Sequence, residues 1–190
     1  MPIASRLLRQ ARRGAALSQR QLAAAAGGHQ PAVASIESGA VEPGIGRLAG
    51  LVAASGHRLV VLPTTSPTVA DVADALFDAV RAPAADRALR LLVQLNDVLN
   101  AESGPVRVSL CVTPPAPTGD SRYDAYLAAL VEHHLTADAL PVPAWVNEPT
   151  RTLVVPWRLD VTAGPELEAA TPPAFARRGI FIDAAELVSV

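Results

Sequence analysis

Lysine is absent from this chain of 190 residues, and cysteine and methionine occur once each. With Cys111 alone, no intramolecular disulfide and no cysteine-based zinc site can form, which fits a reducing, cytoplasmic setting. Aromatic residues make up 4% of the chain, so Leu, Val and Ile must supply most of the burial. Each such side chain contributes roughly 1.5–3 kcal/mol when fully buried. No apolar run approaches the roughly 18 residues that a membrane span needs. Arg6, Arg9, Arg12 and Arg13 interrupt any signal-like segment at the start. The sequence also lacks a glycine-rich phosphate loop, an HExxH motif and a Ser/His/Asp set at telling spacing. Neither an enzyme nor a cofactor is expected.

The charge that is present is unevenly placed. Through Leu62, seven arginines stand against Glu37 and Glu42, a net of +5. From Pro63 onward nine arginines face sixteen acids, a net of −7. A basic first third suits a polyanion, whereas the acidic remainder is repelled by one. The expected division is a basic domain over residues 1–62, a Pro/Thr/Ser linker over 63–68 and an acidic domain over 69–190.

Ile3, Leu7, Leu8 and Ala11 lie on one face of a first helix. Ser18 and Gln21 form a capping-box pair ahead of a second helix over about Gln19–Ala26, which Gly27-Gly28 stops. A third helix opens at His29 or Gln30, carries Pro31 in its first turn and ends at Gly39. Two short helices joined by a tight turn, with arginines around them, are the layout of a helix-turn-helix DNA-binding unit. A fourth helix over Gly44–Ser55 is expected to bury Ile45, Leu48, Leu51 and Val52. His57–Leu62 reads as a strand, whose partner is either the later domain or the same strand of a second subunit.

Beyond the linker, Val69–Val80 reads as a helix capped by Thr68 or Ser66, with Val72, Ala73, Leu76, Phe77 and Val80 on one side. Ala84–Asn100 reads as another, carrying Leu89, Leu92, Val93 and Leu99. Val106–Val112 alternates as a strand does, and places Cys111 in an apolar core rather than as a nucleophile. A helix follows over Ser121–His134, and Ile180-Phe181-Ile182 reads as a short strand. His133 and His134, with Glu132 and Asp138, have no metal-like spacing and are expected to be solvated. The fold class is mainly α: a four- or five-helix helix-turn-helix domain, then an α+β C-terminal domain.

Arg12, Leu17-Ser18-Gln19, Leu22-Ala23, Gly27, Val33, Ile36-Glu37 and Gly39 together resemble the XRE family, which includes phage repressors and Cro. The resemblance covers Leu7–Leu59, about a third of the chain. Ala23 is small because the second and third helices cross there. Leu22, Val33 and Ile36 share a core with Leu8, Leu48 and Leu51. The resemblance implies that Glu37 pairs with Arg12. It also places Gln19 against a phosphate and Gln30 where a base is read, with Ala32 and Ser35 along the same face. Arg20, His29 and Arg47 are candidate phosphate neighbours. The turn departs from the family at Gly28, where an apolar side chain usually closes the core. Pro31 stands where a DNA-facing polar residue is common.

In the acidic half, Trp145, Trp157 and the segment Phe175–Asp183 are similar to XRE proteins of toxin–antitoxin operons, whose neighbouring gene encodes a nucleotidyltransferase-like toxin. This similarity implies an autorepressing antitoxin, a homodimer on a double-stranded operator with no membrane partner. Aromatics in this proline-held stretch form either a small core or a partner-binding face; on the second reading Trp145, Trp157, Phe175 and Phe181 are the candidate toxin-binding residues. Two alternatives stay open: a stand-alone repressor whose C-terminal domain senses a small molecule, and a helix-turn-helix module that only binds proteins.

Overall fold

The computed structural model describes residues 2–82, 85–160, 164 and 166–187. The chain divides into two compact units, Met1–Pro63 and Thr64–Val190. The protein is mainly α-helical, and among the described residues no helix is long and apolar enough to cross a membrane.

The first unit contains α1 (Ile3–Gly14), α2 (Gln19–Ala25), α3 (Gln30–Ser38) and α4 (Ile45–Ala54). Local chemistry explains the boundaries. The Ser18 hydroxyl accepts from the Gln21 amide at 3.2 Å, and the Gln21 side chain accepts from the Ser18 amide at 2.8 Å. Pro31 lies in the first turn of α3, and Gly39 closes it in the left-handed region at φ 80°. One core holds the unit together: Leu8, Leu22, Ala23, Val33, Ile36, Leu48, Leu51 and Val52 are all buried in it.

Two expectations fail here. Ile45 is 75% exposed, because α4 begins there with its inward face set by Leu48, Leu51 and Val52. His57–Leu62 forms no strand, since the unit it closes is all helix and offers no edge to pair with.

The second unit opens with α5 (Val69–Arg81), capped by Thr68 and Asp71 in a second capping box. Then come α6 (Ala85–Ala101), α7 (Gly104–Cys111) and α8 (Ser121–Ala137). The expected start of α6 at Ala84 lies outside the described residues. Phe77, Val80, Leu89 and Val93, expected on the apolar sides of α5 and α6, are exposed instead. The chain continues through two single 3-10 turns to β1 (Trp157–Arg158), α9 (Glu166–Ala170), α10 (Pro173–Ala176) and β2 (Ile180–Phe181). β1 and β2 pair in parallel, Trp157 with Ile180 and Arg158 with Phe181.

The expected strand over Val106–Val112 is α7 instead. Pro105 sits in its first turn, and Arg107 with Leu110 and Cys111 turns inward at helical spacing. Cys111 is buried, and burial pushes its thiol up to about 12. The Arg107 guanidinium donates to the Glu102 carbonyl at 2.8 Å and to Asp138 at 2.7 Å.

α8 is the centre of this unit, with Tyr126, Leu127, Leu130, Val131 and Leu135 buried along it. Helices and turns surround it, which corrects the expectation of solvated Glu132 and His134: both are buried. Glu132 meets Arg178 and Arg177 in ion pairs. His134 shares a hydrogen bond of 2.9 Å with the Asn96 carbonyl oxygen, while the Asn96 amide donates to the Leu187 carbonyl at 3.0 Å. The Asn96 oxygen only accepts, so neutral His134 carries its proton on Nε2.

Burial, with His133 and Arg107 nearby, pushes His134 down from its ordinary 6.5 to about 4, against the opposing charge of Asp138. The unfolded chain therefore takes up this proton more readily than the folded one. The resulting stability is complete above pH 6.5 and is lost as the pH falls toward 4. Thermal melts should show the melting temperature dropping between pH 6.5 and 5, with a shallower drop for His134→Gln. Equal slopes in the two proteins would remove His134 as the cause.

Candidate nucleic-acid interface

Glu37 is buried near the C-terminal end of α3, 2% exposed, with donors converging on it from α1 and α2. Arg12 donates through Nε to one carboxylate oxygen at 2.6 Å and through Nη2 to the other at 2.9 Å. Its Nη1 reaches the Leu17 carbonyl at 2.8 Å, tying the α1–α2 connection to the same guanidinium. Ser5 and Arg9 both donate to the Glu37 backbone carbonyl. Burial by itself would raise the Glu37 carboxyl. The bonds from Arg12 and Gln19 and the charges of Arg12 and Arg9 outweigh it and hold the group below the usual carboxylate range.

The network continues outward. Gln19 Nε2 donates to Glu37 Oε2 at 2.9 Å, and Gln30 Nε2 donates to Gln19 Oε1 at 2.9 Å. An ionised carboxylate only accepts, so it turns the Gln19 amide nitrogen inward and the oxygen outward. That oxygen in turn orients the Gln30 amide. Gln30 keeps one N–H and its carbonyl oxygen for a ligand, and it is exposed on the first turn of α3. This donor–acceptor pair complements the major-groove edge of adenine, which presents an acceptor at N7 and a donor at N6.

The remaining candidate contacts fall into two groups. His29, Ala32 and Arg47 line a shallow groove with Ala23, Gly28 and Leu51. Gly28 leaves that groove open, since a Cβ there would meet only the Ala23 carbonyl, at 3.9 Å. Arg20 is exposed and makes no hydrogen bond or ion pair with the described residues. Ser35 is half-buried, and its hydroxyl donates to the Pro31 carbonyl at 2.9 Å. That bond leaves its oxygen lone pairs for an incoming donor.

A helix-turn-helix family model matches residues 8–54, about a quarter of the chain. The match lies within the first unit and supports an XRE-type helix-turn-helix there. Comparison with curated proteins gives no match, and comparison with solved structures gives none either. α2 and α3 are the two helices of the matched motif, and α3 stands where such units carry the recognition helix. Reading the sequence had not linked Ser5 and Arg9 to Glu37. Their spacing with Arg12, at i, i+4 and i+7 on α1, is the signal that could have shown it.

The candidate partner-binding aromatics of the second unit are placed differently. Trp145 and Phe175 are buried in its core, and Trp145 Nε1 donates to the Cys111 carbonyl at 2.9 Å. A partner cannot touch them without unfolding the unit. Trp157 and Phe181 are half-buried; Trp157 packs edge-on to Tyr123 with ring centroids 5.9 Å apart, and Arg122 lies over its ring.

Removing Arg12 strands the Glu37 carboxylate in the interior. Arg12→Ala should destabilise the helix-turn-helix domain by about 3 kcal/mol, the usual cost of breaking a buried ion pair from one side. Chemical denaturation read out on that domain checks it. A loss below about 1 kcal/mol, typical of an exposed pair, would mean that water replaces the guanidinium.

Proposed function

We propose that this protein is a sequence-specific transcriptional regulator that binds its operator as a homodimer. In this reading it is the autorepressing antitoxin of a toxin–antitoxin pair. The observation that carries the regulator reading is the exposed Gln30 amide, held by Gln19 on the first turn of α3. Gln30 reads a base, while the backbone N–H of Gln19, whose side chain is held by Glu37 and Gln30, and the side chain of Arg20 meet phosphates. Arg47 and His29 add phosphate contacts along the groove. Ala32 and Ser35 lie along the recognition helix beside the base edges. A recognition surface this sparse in polar side chains relies on two copies to reach useful affinity, reading half-sites about one helical turn apart.

The antitoxin reading draws support from the charge split. The half from Pro63 onward, with its excess of acids, suits a basic protein partner better than DNA. The toxin-binding surface would use the accessible faces of Trp157 and Phe181, with Trp145 and Phe175 supporting them from the core. The first unit represses, and the second neutralises.

Gln30→Ala should weaken binding to the duplex upstream of the protein's own gene by about 1–3 kcal/mol, with the fold unchanged. A mobility-shift titration at fixed salt measures this, and an unaltered affinity and sequence preference would refute base reading by Gln30. For the antitoxin role, the neighbouring gene is expressed alone and then together with this chain. Growth arrest relieved by co-expression is the expected result. A harmless neighbour, or arrest that co-expression leaves intact, would leave a stand-alone repressor.

A further inference from the structure

After α4 the chain is anchored once more and then let go. The His57 amide donates to the Val52 carbonyl at 3.1 Å, and its Nδ1 lies 2.9 Å from the Ser55 carbonyl oxygen. The next anchor is Thr64, whose hydroxyl donates to Glu102 at 2.7 Å. Between them, the backbone of Arg58-Leu59-Val60-Val61-Leu62 makes no hydrogen bond to any described residue. Val60 is 74% exposed and Val61 97%. A free connector is ordinarily built from Gly, Ser, Pro and charged residues. This one is four branched apolar residues behind an arginine, a composition that favours a strand.

We infer that Arg58–Leu62 is an unfilled β-strand and that its occupant is the same segment of a second copy of this chain. The inference rests on the homodimer of the preceding reading, but not on DNA recognition. Among the described residues, β1 and β2 pair with each other and neither pairs with this segment. The segment is also complementary to itself. In an antiparallel pair centred on Val60, with the two Val60 residues exchanging their N–H···O bonds, Leu59 faces the second copy's Val61, and Arg58 faces its Leu62. The two Arg58 charges are then offset by four residues along the ribbon, about 13–14 Å at the rise of a strand. That exceeds the Debye length of about 8 Å at physiological salt, so the like charges do not oppose pairing.

Space for the second copy lies beside the segment. A shallow groove is lined by Ala49, Ala53, Gly56, His57, Arg58 and Leu59. Its α4 wall carries only methyl groups, and Gly46, one turn before Gly50, has nothing within 4 Å of where a Cβ would stand. At 100° per residue, Ile45, Gly46, Ala49 and Ala53 share one flank of α4. Pairing would lower Val60 or Val61 of the second copy over this flank and cover Ile45.

Sedimentation of the full-length chain without DNA tests the inference. Twice the chain mass of 19.7 kDa is expected at micromolar concentration. Val60→Pro, which removes the central N–H, should raise the dimer dissociation constant by about tenfold or more while helical circular dichroism stays unchanged. In a second variant, Val60→Cys, the two introduced thiols meet across the two-fold and should form a disulfide-linked dimer on addition of an oxidant. Val154→Cys, at a position 98% exposed in the other unit, should not. The native thiol of Cys111 is buried and stays out of this reaction.

A monomeric wild type, a Val60→Pro dimer as tight as wild type, or a Val60→Cys variant that fails to cross-link would each overturn the strand pairing. All three readouts omit DNA. Failure of operator binding therefore leaves this result standing, and failure here leaves Gln30 free to read a base.

Discussion

The carboxylate of Glu37 is what the first unit is organised around. Three of the unit's four helices meet at this one residue, and the two short helices of the motif could not hold their mutual angle by burial alone. Their shared apolar contact is small: Leu22 and Ala23 on one side, Val33 and Ile36 on the other. The bidentate contact from Arg12 fixes α3 against α1, and the third guanidinium nitrogen fixes the entry to α2 through the Leu17 carbonyl. An arginine is required for this, because a lysine offers one charged point and cannot satisfy two oxygens and a carbonyl in a plane.

The second unit solves a similar problem with the same chemistry. α8 is enclosed on all sides, so polar residues along it must find partners inside. Glu132 finds Arg177 and Arg178, and His134 finds Asn96. Arg151 stacks over Trp145 at 5.2 Å and donates to the Pro115 carbonyl at 2.9 Å, pinning the proline-rich loop that precedes α8. Among the described residues, the buried Nε atoms of Arg151 and Arg178 have no hydrogen-bond partner. Such a network specifies one arrangement and tolerates few others, since losing any member leaves another polar group unmatched.

Where the sequence was legible, the reason was local. Ser18 with Gln21, Thr68 before Val69, Pro31 and Gly39 act within a few residues of themselves, and each marks a boundary that the fold keeps. The Glu37–Arg12 pairing came from the XRE resemblance, and the remainder of its hydrogen-bond chain follows from which oxygen can only accept. The errors share a different cause. Val106, Val108 and Leu110 alternate as a strand would, yet Pro105 and the enclosure of Arg107 make that stretch a helix. Val60 and Val61 have strand composition, but no described strand pairs with them. Glu132 and His134 look like surface residues until α8 is seen to be surrounded, and burial of that kind is decided by tertiary packing.

On the reading of Gln30 proposed above, the outward-facing oxygen of Gln19 also restricts how an operator preference could evolve. Whatever side chain occupies position 30 must offer a hydrogen toward α2. Glutamine and asparagine, which suit adenine, and arginine and lysine, which suit guanine, meet that condition. A glutamate would set oxygen against oxygen, so a preference for cytosine is closed to this position while Gln19 stays as it is. The alphabet available to this recognition helix is thus limited from behind, by a carboxylate that no base ever touches.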